Sequence, residues 1–307
     1  MSMDKLLNDK VLQITSGGGY VYDGPKAEGF HIIHPYKSAD NLLKRILREL
    51  CFRVPFLPKV IWYNKEIYQY HPEYIIISDS LTTRHYLKWL HKLFPQAQIN
   101  FVYHNLIGKA RHILPKQIPS GIRKWVFDEK TGEQYAMRVF KNSPYPLSYL
   151  KPKVEPKYDV FYVGADKGRG ERLLQLEENL KSLGLKTKFI ITADGRFSRK
   201  KTYYQNPISY DQTTTYLTQS RAVLNVALEG QHGMTLRDKE ALFFDIKLIS
   251  TNIHIKEKDL YTENNVFVLT ESNWKEIPAF LDGPKDNLDY LKEKYTYTSF
   301  VNEIISE

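Results

Sequence analysis

Apolar residues in the first half of the chain fall into short runs rich in β-branched and aromatic side chains, separated by helix-like patterns. Residues 84–94 place apolar side chains at helical spacing, and Pro95 ends that pattern. The repeated order of strand, helix and strand predicts a parallel sheet with helices on its faces. Strands are predicted at 11–15, 30–34, 74–78, 99–103 and 125–127.

The same alternation starts again after a proline-rich stretch. Residues 142–157 contain Pro144, Pro146, Pro152 and Pro156 among polar residues, which predicts an extended linker. Beyond it, the pattern predicts strands at 160–163, 187–191, 222–226, 248–250 and 266–268, and helices at 172–183, 211–219 and 235–243, with one or two closing helices in 273–307.

These patterns predict an α/β protein with two βα domains in tandem. The predicted N-terminal domain covers 1–150 and the C-terminal domain 151–307, with a closing helix that can pack back on the first domain. A length of 307 residues is about twice that of a usual single domain, and a hydrophobic fraction of 42% suffices for two cores.

The sequence also carries signals about compartment. No apolar run reaches about 18 residues, and residues 1–10 are polar, without the apolar stretch of a signal peptide. The single cysteine, Cys51, cannot form an internal disulfide, which agrees with a reducing compartment. A cytoplasmic protein is therefore expected.

The net charge of +9 indicates an anionic partner, which can be nucleic acid, an anionic membrane surface or a phosphorylated small molecule. Residues 42–65 interleave basic residues with apolar and aromatic ones. Such a segment can lie on a membrane surface. It can equally be an ordinary amphipathic helix whose apolar side faces the core.

Ligands of open parallel sheets bind beyond the carboxyl ends of the strands, where helix N-termini present N–H groups and a positive dipole end. The first loop of this kind follows the strand at 160–163. Its Gly164 lets the backbone approach a ligand closely, and its Lys167 and Arg169 are suited to phosphate oxygens. The alternative interpretation is a solvated basic turn.

The second loop leads into the helix predicted at 235–243. Gly233, Met234 and Thr235 stand where this helix begins, so their N–H groups are placed to bind phosphate. Arg237 lies in the first turn, where a cation opposes the helix dipole unless an anion is bound. Glu240 follows on the same helical face and is suited to accept from ribose hydroxyls; alternatively, the two form a surface ion pair.

This second segment resembles the donor-binding signature of GT-B glycosyltransferases, in the group 1 branch whose C-terminal domain carries G-x-T-x-R-x-x-E-A-L and then a short strand. Residues 163–169 and 210–225 are also similar to the family, so the resemblance covers 158–270. It implies two Rossmann-like domains with a cleft between them, Glu240 on the donor ribose, and residues 233–235 on its diphosphate. Glu229 lies eleven residues before Glu240, which departs from the family's glutamate spacing and makes it a poor sugar ligand.

A third glycine-rich loop follows the first predicted strand. In GT-B enzymes the equivalent loop borders the cleft near the sugar and acceptor, which implies such a place for Gly17 and Gly18. It can also be a simple flexible turn. Tyr22 stands where a dinucleotide-binding motif would have its last glycine, so a nicotinamide cofactor is not supported.

Sugar transfer requires that the departing diphosphate be stabilised by a metal or by positive groups. The sequence has no D-x-D pattern and no His/Cys cluster, so a metal-independent reaction without a further cofactor is expected. Arg169, Lys167 and Arg237 would supply the positive charge. The candidate bases that accept the acceptor's proton are Asp79, His104 and Asp23, each of which can instead cap a loop.

The resemblance implies transfer of a hexosyl or N-acetylhexosaminyl group, commonly from a uridine diphosphate sugar, in bacterial surface polysaccharide (capsule) synthesis. The acceptor would be a saccharide or a lipid-linked saccharide, with peripheral membrane contact through 42–65. A nucleotide-sugar epimerase on the same two domains is an alternative. A nucleic-acid-binding protein is another, but the 22 tyrosines are spread throughout and no recognised motif occurs, so no nucleic acid partner is expected.

Overall fold

The computed structural model describes residues 9–16, 20, 22–54, 56–79, 84–104, 107, 113–141, 144–195, 201–228 and 232–306. The chain divides into two compact units. The first comprises Met1–Ser148 and Tyr297–Glu307, and the second comprises Tyr149–Thr296. Each unit contains one parallel sheet, so the predicted α/β class with two Rossmann-like sheets is confirmed.

The sheet of the first unit has the order β2-β1-β3-β4-β5-β6, and the sheet of the second has the order β11-β10-β9-β7-β8. In both units strands alternate with helices along the chain, and the strands are rich in apolar residues, as expected for parallel sheets that are covered by helices. The strands are β1 (Val11–Ile14), β2 (His31–Ile33), β3 (Tyr74–Ser78), β4 (Gln98–Tyr103), β5 (Arg123–Val126), β6 (Arg138–Val139), β7 (Tyr158–Ala165), β8 (Thr187–Thr192), β9 (Ser220–Asn225), β10 (Lys247–Ser250) and β11 (Val266–Val268).

Helices connect the strands and cover the sheets. They are α1 (Asp23–Ala27), α2 (Leu42–Arg53), α3 (Arg84–Leu93), α4 (Glu129–Tyr135), α5 (Gly170–Ser182), α6 (Tyr210–Thr218), α7 (Leu236–Phe243), α8 (Ile277–Asp282), α9 (Asp289–Lys292) and α10 (Tyr297–Ser306). Helix α3 shows how the pattern works: Tyr86, Leu87 and Leu90 are fully buried in the core of the first unit. No helix among the described residues is long and apolar enough to cross a bilayer.

The last helix, α10, belongs to the first unit. Its Phe300, Val301 and Ile304 are buried against the sheet together with Val102 and Trp125. The Tyr297 hydroxyl donates a hydrogen bond to the Gln13 side chain in β1. The C-terminal residues therefore complete a core that the N-terminal residues begin.

The proline-rich stretch is more ordered than the predicted extended linker. Leu147–Tyr149 form a 3₁₀ turn, and Tyr145 is fully buried. The Ser148 hydroxyl donates to the Gly24 carbonyl at 3.1 Å, and the Lys151 ammonium pairs with the Asp211 carboxylate at 2.8 Å. The N-terminal end of the stretch is therefore bonded to the first unit, and its C-terminal end to the second unit.

Candidate functional site

The second sheet has a topological switch point between β7 and β9. Strand β7 pairs with β8 on one side and with β9 on the other, so the chain reverses its direction of travel across the sheet at β7. A crevice forms at the carboxyl ends of strands at such a point, and ligands of open α/β sheets bind there. The loops that leave β7 and β9 at this edge are the two that the sequence marked as candidate phosphate-binding loops.

The loop after β7 is organised around the Asp166 carboxylate. Asp166 is 1% exposed and accepts from the Gly170 backbone N–H at 2.7 Å, which caps α5. It also accepts from the Tyr203 hydroxyl at 2.8 Å, the Tyr204 hydroxyl at 2.7 Å and the Lys201 ammonium at 3.1 Å. Burial opposes its ionisation, but these donors outweigh burial and hold the pKa of Asp166 well below its usual value.

This cap explains why α5 begins two residues before the predicted start at 172. A Cβ on Gly170 would collide with the Tyr203 hydroxyl and lie 2.7 Å from the Asp166 carboxylate. Lys167 and Gly168 turn the loop with positive φ of 46° and 81°. The close approach at Gly170 therefore serves the protein's own carboxylate.

A Gly170→Ala variant should consequently lose stability. The added methyl group must displace the Tyr203 ring, which we expect to lower the free energy of unfolding by about 1–3 kcal/mol. Urea denaturation measures this change. Gly195→Ala is the matched control, because a Cβ at Gly195 meets no atom within 4 Å; equal losses in both variants would contradict the assigned collision.

Arg169 joins the two loops of the switch point. Its guanidinium donates to the Ala165 carbonyl at 3.0 Å and to the Val226 carbonyl at the end of β9. Its Nε atom donates to the Asp166 carbonyl at 3.3 Å. The predicted contact of Arg169 with phosphate would require it to exchange these carbonyl partners, so its observed role is to hold the loops together.

The start of α7 carries a capping box. The Thr235 hydroxyl accepts from the Arg237 N–H at 3.1 Å, and the Asp238 carboxylate accepts from the Thr235 N–H at 2.6 Å. Asp238 is fully buried and also accepts from the Asn225 side chain at 2.7 Å. An internal carboxylate therefore already complements the positive end of the helix dipole.

Arg237 forms an ion pair with Glu240 on the same face of α7. The Glu240 side chain is 0% exposed, the Arg237 side chain is 19% exposed, and the Tyr210 hydroxyl donates to the second Glu240 oxygen at 3.0 Å. Burial raises the pKa of Glu240, and the Arg237 guanidinium and the Tyr210 hydroxyl act in the opposite direction.

Two expectations from the sequence are therefore corrected. The hypothesis that only a bound anion can balance Arg237 is wrong, because Glu240 balances it within the protein. The alternative, an ion pair between Arg237 and Glu240, is confirmed, but its placement at the surface is wrong because Glu240 is fully buried. Contact between Glu240 and a ribose would require this pair to open.

Tyr162 lies between the two loops and was missed by the sequence analysis. Its hydroxyl is 3.5 Å from the Arg169 guanidinium. Burial raises the pKa of Tyr162, while the positive charges of Arg169 and Arg237 act in the opposite direction. Gly164 provides the space for it, since a Cβ there would approach the Tyr162 hydroxyl to 2.8 Å.

The loop into α7 also meets the turn after β10. The rings of His232 and His254 are tilted by 38° with centroids 4.0 Å apart, and His254 Nδ1 lies 2.9 Å from the Glu257 carboxylate. The Ala227 N–H donates to the Thr251 hydroxyl at 2.9 Å. Gly233 is buried, and Met234 and Thr235 are partly exposed at this edge. Within the part of the chain that the structure describes, no group of three or more His, Cys, Asp or Glu is placed to hold a metal ion.

The first sheet has a switch point of its own, between β1 and β3. Asp79 directly follows β3 at this edge, is 2% exposed, and donates its backbone N–H to the Val102 carbonyl at 3.0 Å. His104 follows the neighbouring β4 and is exposed. Asp23 is the exposed first residue of α1. Gly17 and Gly18 lie outside the described residues.

No protein-family model matches the chain, and no curated protein sequence matches it. Solved structures of similar fold include a DNA-modifying β-glucosyltransferase, determined in the presence and absence of uridine diphosphoglucose. That enzyme is 12% identical to this chain, and the match has a TM-score of 0.47 and covers 96% of this chain and 94% of that chain. Another is an enzyme assigned as a UDP-N-acetylglucosamine 2-epimerase from Listeria monocytogenes, with 10% identity and a TM-score of 0.44 over 97% and 92% of the two chains. The catalytic domain of starch synthase IV from Arabidopsis thaliana, bound to ADP and acarbose, is 10% identical with a TM-score of 0.43 over 89% and 79%.

Proposed function

We propose that this protein is a GT-B glycosyltransferase that moves a hexosyl or N-acetylhexosaminyl group from a nucleotide diphosphate sugar to an acceptor. The observation that carries the proposal is the position of the two loops with glycosyltransferase-like sequence. Both leave the sheet at the switch point between β7 and β9, the place where an open α/β sheet binds its ligand. The family resemblance makes a uridine diphosphate sugar the first donor to test.

In the proposed donor site, Arg237 contacts the diphosphate from the start of α7. The buried Glu240 carboxylate and the Tyr210 hydroxyl orient its guanidinium before the donor arrives. An arginine held in this way loses little side-chain freedom on binding, which favours affinity. Lys167, exposed at the turn after β7, and the backbone at 233–235 would complete the cradle.

The proposed reaction is metal-independent. Arg237 and Lys167 would stabilise the charge that develops on the leaving diphosphate, and Arg169 would support the loops that hold them. Asp79 is the first candidate for the base because it directly follows β3 at the switch point of its sheet; the other candidates are His104, which directly follows the neighbouring β4, and Asp23 on α1.

The proposed acceptor is a saccharide or a lipid-linked saccharide used in surface polysaccharide synthesis. The protein would act in the cytoplasm at the inner face of the membrane, with peripheral contact through residues 42–65. A lipid-linked acceptor is consistent with a basic and apolar segment in the unit that carries Asp79.

Thermal unfolding with nucleoside diphosphates tests the donor site. UDP should raise Tm in proportion to RT ln(1 + [L]/Kd), and the shift should persist with EDTA present. The Arg237→Ala variant should lose the shift, whereas Arg123→Ala in β5 of the first unit should keep it. No shift with any nucleoside diphosphate, or a full shift in Arg237→Ala, would contradict the site. Product analysis without added acceptor then separates transfer from epimerisation.

A further inference from the structure

Helix α2 turns its apolar face away from the protein. Leu42, Leu43, Ile46, Leu47 and Leu50 are between 47% and 71% exposed. With about 100° between successive residues, these five side chains fall within one arc of about 140°. Surface helices of globular proteins normally bury such an arc.

The opposite side of α2 makes the contact with the first unit. Cys51 is buried, and Phe52 packs partly against the core. The interpretation of residues 42–65 as a helix with its apolar side in the core is therefore wrong for α2. Lys59, a basic residue of the same segment, is buried and donates to the Val54 carbonyl at 3.1 Å, so it is not part of the exposed face.

The exposed apolar surface continues past the end of the helix. Phe56 is 85% exposed, Ile61 is 53% exposed, and Leu57 and Val60 are 37% and 47% exposed. Together with the five residues of α2 they make up nine of the fifteen large apolar side chains that are exposed among the described residues. Clustering of this kind marks an interaction surface, whereas single exposed apolar residues do not.

The charge of α2 indicates what covers this surface. The helix carries Lys44, Arg45, Arg48 and Arg53 against a single acidic residue, Glu49. Lys44, Arg45 and Arg48 fall outside the apolar arc, while Arg53 falls within it at the last residue of the helix. Over its first three turns the helix therefore has one apolar side and one basic side. This is the arrangement of helices that lie in the interface of an anionic bilayer.

A second copy of the chain fits the surface less well. Pairing through the apolar arc of α2 would leave the basic side of the helix without an anionic partner, and it would join two chains that each carry a net charge of +9. An anionic lipid surface offers acyl chains to the apolar arc and negatively charged headgroups to the basic residues.

We propose that α2 lies in the headgroup region of an anionic membrane, with Leu42, Leu43, Ile46, Leu47 and Leu50 facing the acyl chains and Phe56 as a second point of insertion. This refines the membrane contact of the proposed function and holds or fails independently of sugar transfer. The segment leading into α2 leaves the first sheet after β2, at the edge where Asp79 also lies.

Flotation of the full chain with lipid vesicles tests the proposal. The protein should float with vesicles of phosphatidylcholine and phosphatidylglycerol at roughly 2:1, but not with phosphatidylcholine alone, and added salt should weaken binding. Leu43→Glu/Leu47→Glu should lower the partition coefficient by about tenfold or more. The matched control, Val154→Glu/Tyr290→Glu, changes the charge equally at side chains that are 46% and 73% exposed, and should bind as wild type does.

Three results would overturn the proposal. The first is failure of the wild type to float with the anionic vesicles, and the second is unchanged binding by Leu43→Glu/Leu47→Glu. The third is a lipid-free dimer, seen by sedimentation, that the same double variant dissolves. The UDP-dependent Tm shift should be equal in wild type and Leu43→Glu/Leu47→Glu, so loss of lipid binding and loss of the donor site are distinguishable.

Discussion

A Glu240→Ala variant should lose the stabilisation by nucleoside diphosphates and lower the free energy of unfolding by about 3–5 kcal/mol. Glu240 is fully buried and pairs with Arg237, whose side chain is only 19% exposed. Removing the carboxylate leaves this guanidinium without its partner in a poorly solvated place and also leaves a cavity. Calorimetric unfolding measures the loss, and titration with UDP measures the binding.

Two further variants separate fold from function at this position. Glu178→Ala, at an exposed position of α5, should change neither stability nor binding. Glu240→Gln keeps the shape of the side chain and can still accept from Tyr210, so it should cost less stability than Glu240→Ala. If Glu240 contacts the ribose, Glu240→Gln should narrow the preference for UDP over 2′-deoxy-UDP, because an amide oxygen accepts more weakly than a carboxylate. If Glu240 only orients Arg237, the ratio of the two affinities should stay at its wild-type value. Wild-type UDP affinity in Glu240→Gln would contradict both roles.

An Asp166→Asn variant should lower Tm by about 5 °C or more and weaken UDP binding. Four donors converge on the Asp166 carboxylate, and an amide can present an oxygen to only some of them. Because the loop after β7 depends on this carboxylate, the proposed donor site should lose its geometry together with the fold. Glu171→Gln, exposed on α5, is the control for loss of a negative charge.

The effect of Asp166 should depend on pH in a defined direction. Its pKa is lowered in the folded protein, so the stabilisation is complete above the usual carboxyl value of 3.8 and is lost as the pH falls below it. The Tm difference between wild type and Asp166→Asn should therefore be largest near neutral pH and shrink in acid. A difference that grows on acidification would contradict the assigned interactions.

Much of the fold was predictable because continuous apolar runs mark buried parallel strands. The strands predicted at 74–78 and 266–268 match β3 and β11, and the others differ by a few residues at their ends. Strand β6 and the helices α1 and α4 were missed. Strand β6 has two residues, and α1 contains Gly24 and Pro25, so neither has a local signal and both depend on packing.

The location of the candidate site was predictable from strand ends, but the partners of its side chains were not. Glycines and basic residues after β7 and β9 identified the loops that meet at the switch point. The three side-chain donors to Asp166 come from residues 201–204, about 35 positions further along the chain, and no pattern in the sequence connects them to it. Tyr162 resembles any other buried strand residue in the sequence, and only the structure shows that its hydroxyl lies 3.5 Å from the Arg169 guanidinium.

The return of α10 to the first unit makes the second unit an insertion within the first. A fragment that stops at residue 296 would keep the whole second sheet. The first unit, however, would lose the core side chains Phe300, Val301 and Ile304. Removing residues 297–306 therefore damages the unit that is synthesised first, and that unit cannot complete its core until these residues have emerged from the ribosome.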